Sequence, residues 1–156
     1  MAEVSEYVPQ LHETASLIAD RVGIEQYDLV FQSRSGPPHV PWLEPDICDH
    51  IKSLDGTTGS TDLLICPLGF TSDHTEVLFD LDTQAAEAAT SIGFNYHRVT
   101  AVGHNDLYVD LIVELIEEQL NGAERRSVGT FGPWPDDCGS ETHCIPDYMM
   151  NQKVAL

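Results

Sequence analysis

Basic residues are scarce in this chain. Lys and Arg together number 7 against 26 Asp and Glu, which gives a formal net charge of −19 over 156 residues. A surface this negative repels the phosphates of a nucleic acid and the headgroups of an anionic membrane, so the composition argues against both partners. It attracts metal cations, although a halophilic or simply soluble protein has the same composition.

Long apolar runs are also missing. No stretch approaches the roughly 18 residues that a membrane span requires, and the N-terminal MAEVSEYVPQ carries acids without the basic region of a secretory signal. We therefore expect a cytoplasmic protein. The four cysteines are too few and too scattered for a disulfide framework. The G-x-G-x-x-G, Walker A and G-x-S-x-G motifs are absent as well.

What is present is the hydrophobic pattern of a globular domain. Helices are expected over 9–22, 46–54, 73–91 and 106–120, and strands over 27–33, 62–69 and 94–102. This alternation predicts an α/β fold with a parallel, doubly wound sheet, and the apolar run 62–69 predicts a strand covered on both faces. We assign residues 1–123 to this domain and 124–156 to an irregular, cysteine-containing tail.

Two loops leave the carboxyl ends of neighbouring predicted strands, where ligands bind in this fold class. The first, QSRSGPPHVPW, contains Arg34 and ends at Trp42. Trp42 offers a flat surface for a planar aromatic ligand, or else packs its loop onto the core. Arg34 suits a ligand carboxylate, or else forms a surface ion pair.

The second loop, GFTSDH, leads into a helix that begins with several acids. Asp73 as N-cap with Glu76 three residues later has the spacing of a capping box, which explains both residues without a ligand. Capping leaves His74 unexplained. Glu76, Asp80 and Gln84 recur every four residues, so they form either a solvated helix face or a row that carries protons or a hydrated metal ion. Joint action of His74 and Glu76 requires His74 at the helix edge, or a π-bulge.

The tail contains a pair of cysteines in the sequence DDCGSETHC. Cys138 and Cys144 have the spacing C-x5-C, with His143 beside the second. They could ligate zinc or part of an iron–sulfur cluster, yet two thiols do not complete a four-thiolate site. Unpaired thiols are the alternative.

Together, QSRSGPPHVPWLEPD and PLGFTSDHTEVLFDLD resemble two signature blocks of the ferrochelatase family. The resemblance implies a lyase of heme biosynthesis that inserts Fe²⁺ into a porphyrin. It also implies the Rossmann-like, three-layer sandwich of the chelatase superfamily, of which this chain is similar to the C-terminal half only. The tail resembles that of actinobacterial, Gram-positive members, which implies coproporphyrin III as substrate and coproheme as product.

The resemblance also implies roles for individual residues. Glu76 matches the glutamate that faces the porphyrin centre and takes pyrrole protons or guides the metal, while His74 supports it or ligates the metal. Asp80 continues the acidic row. The predicted porphyrin contacts are Trp42, Arg34, Ser72 and Asp73. A [2Fe–2S] cluster would use Cys138 and Cys144.

Two alternatives stay open at this point. Small chelatases of the same superfamily are single halves that build one site from two copies, and His74 would then be the metal ligand. The chain could instead be a non-catalytic porphyrin- or metal-binding fragment that needs an N-terminal partner. A third reading, redox signalling through the two tail cysteines, would require an iron–sulfur absorption spectrum.

Overall fold

The computed structural model describes residues 6–34, 37, 39–55 and 59–133. Cys138 and Cys144, and most of the predicted tail, lie outside these residues. The elements in chain order are α1 (Tyr7–Val22), α2 (Ile47–Ser53), β1 (Asp62–Ile65), α3 (Thr75–Val77), a π-helical segment (Leu78–Ala85), α4 (Ala86–Ser91), β2 (Asn95–Arg98), a 3-10 turn (Val102–His104) and α5 (Asp106–Asn121).

The two strands form a parallel pair. Asp62 lies opposite Asn95 and Ile65 lies opposite Arg98, with the register unbroken between them. Parallel neighbours need a long crossover, and here it runs through α3, the π segment and α4. The predicted α/β class with a parallel sheet is therefore confirmed.

The strand predicted over 27–33 is wrong. Within the described residues Phe31 makes only an isolated parallel bridge with Asp46. The Phe31 N–H donates to the Pro45 carbonyl at 2.9 Å, and the Ile47 N–H donates to the Phe31 carbonyl at 2.8 Å. Ser33, with φ of 60°, then interrupts the extended course. Strand-like composition is not sufficient, because a strand also needs a neighbour for its backbone groups. The sheet described here accordingly has two strands rather than three.

The core lies on one face of this sheet, between the strands and the helical stretch Thr75–Ser91. Leu63 and Ile65 of β1 and Tyr96 of β2 pack against a cluster of buried apolar residues. Leu64, between the two inward residues, is 56% exposed. Within the described residues β1 is therefore packed on one face and open on the other. The buried cluster consists of Ile47, Ile51, Val77, Leu81, Ala85, Ala88 and Ala89.

The long helices α1 and α5 contribute little to this core. Only Ala19 of α1 is buried, and α5 has no buried residue in the part of the chain that the structure describes. Both helices end as predicted, at glycines in the left-handed conformation, Gly23 (φ 74°) and Gly122 (φ 63°). No described helix combines the length and apolar character needed to cross a membrane.

Candidate active site

The helix after β1 begins one residue later than the capping box predicted. His74 is the N-cap, and its Nδ1 accepts a hydrogen bond from the Val77 N–H at 3.4 Å. Asp73 instead accepts from the Arg98 guanidinium at 2.7 Å and from the Ala101 N–H at 3.3 Å. A hydrogen bond to a charged donor is stronger than one to a backbone amide, so Asp73 turns toward Arg98 and leaves the cap to its neighbour. The predicted Asp73–Glu76 capping box is wrong.

The cap fixes the orientation of the His74 ring. Phe70 packs edge-on against the ring at a centroid distance of 5.2 Å. His74 therefore lies at the edge of the helix, where action together with Glu76 requires it.

The π segment aligns two rows of side chains. Its i→i+5 hydrogen bonds put more than 3.6 residues in each turn, so residues four apart stay closer to one direction than in an α-helix. Val77, Leu81 and Ala85 are all buried in the core. The residues immediately before them, Glu76, Asp80 and Gln84, line one cavity. The four-residue spacing in the sequence thus becomes a single polar face.

This cavity, of about 330 Å³, lies between the start of the first candidate loop and the helix that follows the second. One wall comes from the polar face of the helix, and the other from the segment after Phe31 together with the start of α2. The lining residues are Gln32, Ser33, Arg34, Asp46, Ile47, Cys48, Glu76, Asp80 and Gln84. The start of the first candidate loop and the helix that follows the second therefore converge here, although no residue of GFTSDH lines the cavity.

Ser33 joins the two walls, and sequence reasoning missed it. Its Oγ donates a short hydrogen bond to Asp80 Oδ2, and Gln32 Nε2 donates to the same Oγ at 3.4 Å. Ser33 lies within the segment predicted as a strand, so nothing in the local pattern distinguished it. Its left-handed backbone is the feature that aims the hydroxyl, and this conformation is uncommon for a residue other than glycine.

The cavity is acidic. Asp46, Glu76 and Asp80 face one guanidinium, Arg34, whose Nη2 also donates to the Val40 carbonyl at 2.7 Å. Asp46 also caps α2, accepting from the Cys48 N–H at 2.8 Å. Burial raises the pKa of the Cys48 thiol, and the Asp46 carboxylate raises it further, so Cys48 stays protonated near neutral pH.

The acids do not form a closed metal site. Across 6–34, 37, 39–55 and 59–133, no group of three or more His, Cys, Asp or Glu side chains is arranged to hold a metal ion.

The predicted site residues fall into two groups. Arg34, Glu76 and Asp80 share the cavity. Trp42, on the proline-rich loop, is 38% exposed, and it is absent from the described lining of the cavity, as are Ser72, Asp73 and His74. Asp73 and His74 shape the loop and the helix start that lead to Glu76, while Ser72 is exposed beside them.

The loop that carries these residues touches the 3-10 turn. A Cβ atom on Gly103 would lie 2.3 Å from the Thr71 carbonyl oxygen, so only glycine fits at this position. The contact fixes the backbone one residue before Ser72.

The chain is similar to known proteins over most of its length. A family model described as ferrochelatase matches residues 1–120. A ferrochelatase of Rhodopirellula baltica is 45% identical over 88% of this chain and 40% of its own length. Coproporphyrin III ferrochelatases of Nocardia farcinica and Frankia alni are 45% and 41% identical over 79% and 96% of this chain. The chain spans less than half the length of these relatives, 35% and 39% for the last two. It belongs to the ferrochelatase family.

Proposed function

We propose that this chain supplies the carboxylate-bearing part of a ferrochelatase site, at which Fe²⁺ enters coproporphyrin III to give coproheme. The observation that carries the proposal is the shared cavity of Glu76, Asp80 and Arg34, between the first candidate loop and the helix that follows the second. Support for the porphyrin comes from the relatives named coproporphyrin III ferrochelatase.

The reaction needs a base more than it needs a tight metal ligand. Two pyrrole N–H protons leave the macrocycle as Fe²⁺ binds its four nitrogens, and the metal keeps its oxidation state. Glu76, exposed at the cavity, accepts a proton from the ring and guides the cation by charge. Asp80, held by the Ser33 hydroxyl, is next in the row and receives protons from Glu76. Gln84 ends the acidic row, because an amide does not exchange protons as a carboxylate does.

Recognition of the porphyrin is assigned to the exposed side chains around the cavity. Arg34 pairs with a propionate carboxylate of the substrate, and Trp42 presents its ring to the macrocycle. Ser72 and Asp73 belong to the loop proposed to contact the porphyrin, and His74 supports Glu76 or ligates the arriving metal.

The rest of the site is assigned to a part of the protein beyond this chain, an N-terminal half in the same polypeptide or as a partner. The relatives are more than twice as long as the segment they share with it. We further propose that the complete fold is the doubly wound three-layer sandwich. The exposed outer face at Leu64 and the exposed apolar side chains along α5 support this, since a third layer would cover them.

The proposed chemistry involves no iron–sulfur cluster. A [2Fe–2S] cluster on Cys138 and Cys144 stays a prediction, since both residues lie outside the described part of the chain, and they offer two of the four thiolates required. Cys48 and Cys66 are free thiols, and neither belongs to a metal-binding group among the described residues.

The decisive test is anaerobic insertion of Fe²⁺ into coproporphyrin III by the purified chain and its Glu76→Gln variant. We expect this substitution to lower kcat by about 10²–10⁴-fold, the range for loss of a general base, while porphyrin affinity stays within about twofold because the side chain keeps its shape. The matched control is Glu87→Gln, an exposed glutamate on α4 that does not line the cavity.

A Glu76→Gln variant as active as the wild type contradicts the proposal. If the wild-type chain does not insert Fe²⁺, its binding of coproporphyrin III tests the proposal instead. Binding that weakens in Trp42→Ala supports a partial site that needs the rest of the protein. Absence of any porphyrin binding refutes the assignment for this chain.

A further inference from the structure

We propose that Arg98 is a positioning residue for the site, holding the segment 73–82 at both ends so that Glu76 and Asp80 face the cavity. The functional part of this inference rests on the proposed function. The anchoring part stands on the contacts of Arg98 alone.

The contacts of Arg98 reach two carboxylates on either side of the helix start. Nε and Nη2 bind both oxygens of Asp82 at 2.5 and 2.9 Å, and Nη1 binds Asp73 at 2.7 Å. Nη1 also donates to the carbonyl of Val99 at 3.0 Å. Asp73 accepts in addition from the Ala101 N–H. One guanidinium at the end of β2 therefore ties the loop after β1 and the middle of the π segment to the sheet.

Burial makes this anchor stronger than an ordinary surface ion pair. The Arg98 side chain is 10% exposed, whereas Asp73 and Asp82 are 26% and 41% exposed. Exposed pairs contribute little because solvent screens them and the side chains lose entropy. The Asp82 hydrogen bonds raise the pKa of Arg98 further, with a smaller contribution from Asp73, so the charge is permanent.

The positions of Asp73 and Asp82 in the chain explain how their contacts with Arg98 orient Glu76 and Asp80. Both residues lie between Asp73 and Asp82, and a π-helix is a rare winding that competes with the regular α-helix. Rewinding to an α-helix would rotate Asp80 relative to Glu76 and would displace Asp82 from its guanidinium. A lysine would keep the charge but lacks the planar fork that binds Asp82 through two nitrogens and still reaches Asp73.

The anchoring is tested by amide hydrogen exchange on the full chain and its Arg98→Gln and Arg98→Lys variants. We expect exchange over 74–85 to accelerate at least about tenfold in Arg98→Gln, while exchange in α5 is unchanged. Arg126→Gln is the matched control, because Arg126 pairs with Glu114 at 2.8 Å but is 73% exposed. Exchange over 74–85 that is equal in Arg98→Gln and the wild type overturns the inference, whatever the activity.

The positioning role is tested by steady-state insertion of Fe²⁺ into coproporphyrin III. We expect Arg98→Lys to lower kcat by about 10–100-fold, the range for residues that orient those contacting the metal, with the KM for porphyrin within about twofold. Ile51→Val, a core substitution without polar contacts, controls for lost stability. A kcat in Arg98→Lys equal to that of Ile51→Val refutes the positioning role.

The failure of the proposed function is distinguishable from failure of this inference. A wild-type chain that neither binds porphyrin nor inserts iron refutes the proposed function. The hydrogen-exchange comparison still tests whether Arg98 anchors the segment 73–82, because it does not depend on activity. Normal turnover in the wild type with unaltered kcat in both Arg98 variants refutes the positioning role and leaves the proposed function standing.

Discussion

The contact between Gly103 and the loop after β1 allows a quantitative prediction. In Gly103→Ala, the new methyl group would lie 2.3 Å from the Thr71 carbonyl oxygen and 3.4 Å from its carbon. The backbone must separate by about 1 Å to restore an ordinary contact, and overpacking of this kind costs about 1–3 kcal/mol. For a chain of this size we expect the Tm to fall by roughly 2–12 °C.

The control is Gly59→Ala. An added Cβ there meets nothing within 4 Å among the described residues, and the backbone of Gly59 does not have a positive φ. Both substitutions reduce the entropy of the unfolded chain equally, by about 0.4–1 kcal/mol, so the difference between their Tm values isolates the steric contact.

The assay is thermal unfolding followed by circular dichroism, paired with porphyrin insertion. A 1 Å displacement of the loop that carries Ser72 and Asp73 is expected to lower kcat by up to about 100-fold. Equal Tm values for Gly103→Ala and Gly59→Ala would refute the reasoning, because they would mean that the two backbone segments are not in contact.

Two predictions concern pH. Hydrogen bonds from Asn95, and then His97, lower the pKa of Asp62 in the folded protein, so its contribution to stability is present above its unfolded pKa and is lost as pH falls through the folded value. Urea unfolding of Asp62→Asn should therefore show a weaker loss of stability in acid, and an unchanged acid limb would contradict this. Burial raises the pKa of Tyr96 to about 12, so the absorbance of its tyrosinate should appear near pH 12, and this tyrosine should stabilise the fold less as pH rises from about 10 toward 12. Its hydroxyl is buried without a hydrogen-bond partner in the described part of the chain, so Tyr96→Phe should remove the absorbance change near pH 12 at little cost in stability.

The helices were predictable from the sequence because their signals are local. An apolar stripe and a terminal glycine define α1 and α5, and the carboxylate of Asp46 caps α2. Whether residues 27–33 form a strand was not predictable in the same way, because a strand needs a neighbouring segment to bind its backbone N–H and carbonyl groups. Phe31 finds that neighbour only at Pro45 and Ile47.

The candidate site was predictable in part for the same reason. Spacing alone placed Glu76 and Asp80 on one face, and both line the cavity. The N-cap, by contrast, was decided by a long-range ion pair, since Arg98 lies 25 positions from Asp73. Ser33 reaches Asp80 across 47 positions. Periodicity within one element does not reveal such contacts.

The alignment of two rows along the π segment has a consequence for how this protein tolerates changes in length. Buried Leu81 and cavity-facing Asp80 are neighbours, and the same pairing recurs one turn later at Ala85 and Gln84. A substitution at Phe79 or Thr83, exposed positions that belong to neither row and do not contact Arg98, leaves both rows in place. The loss of a single residue between Leu78 and Ala85 would instead restore regular α-helical winding. The side chains after the deletion could then keep the apolar row in the core or the polar row at the cavity, but not both. Over evolutionary time this stretch should vary in composition while its length stays constant.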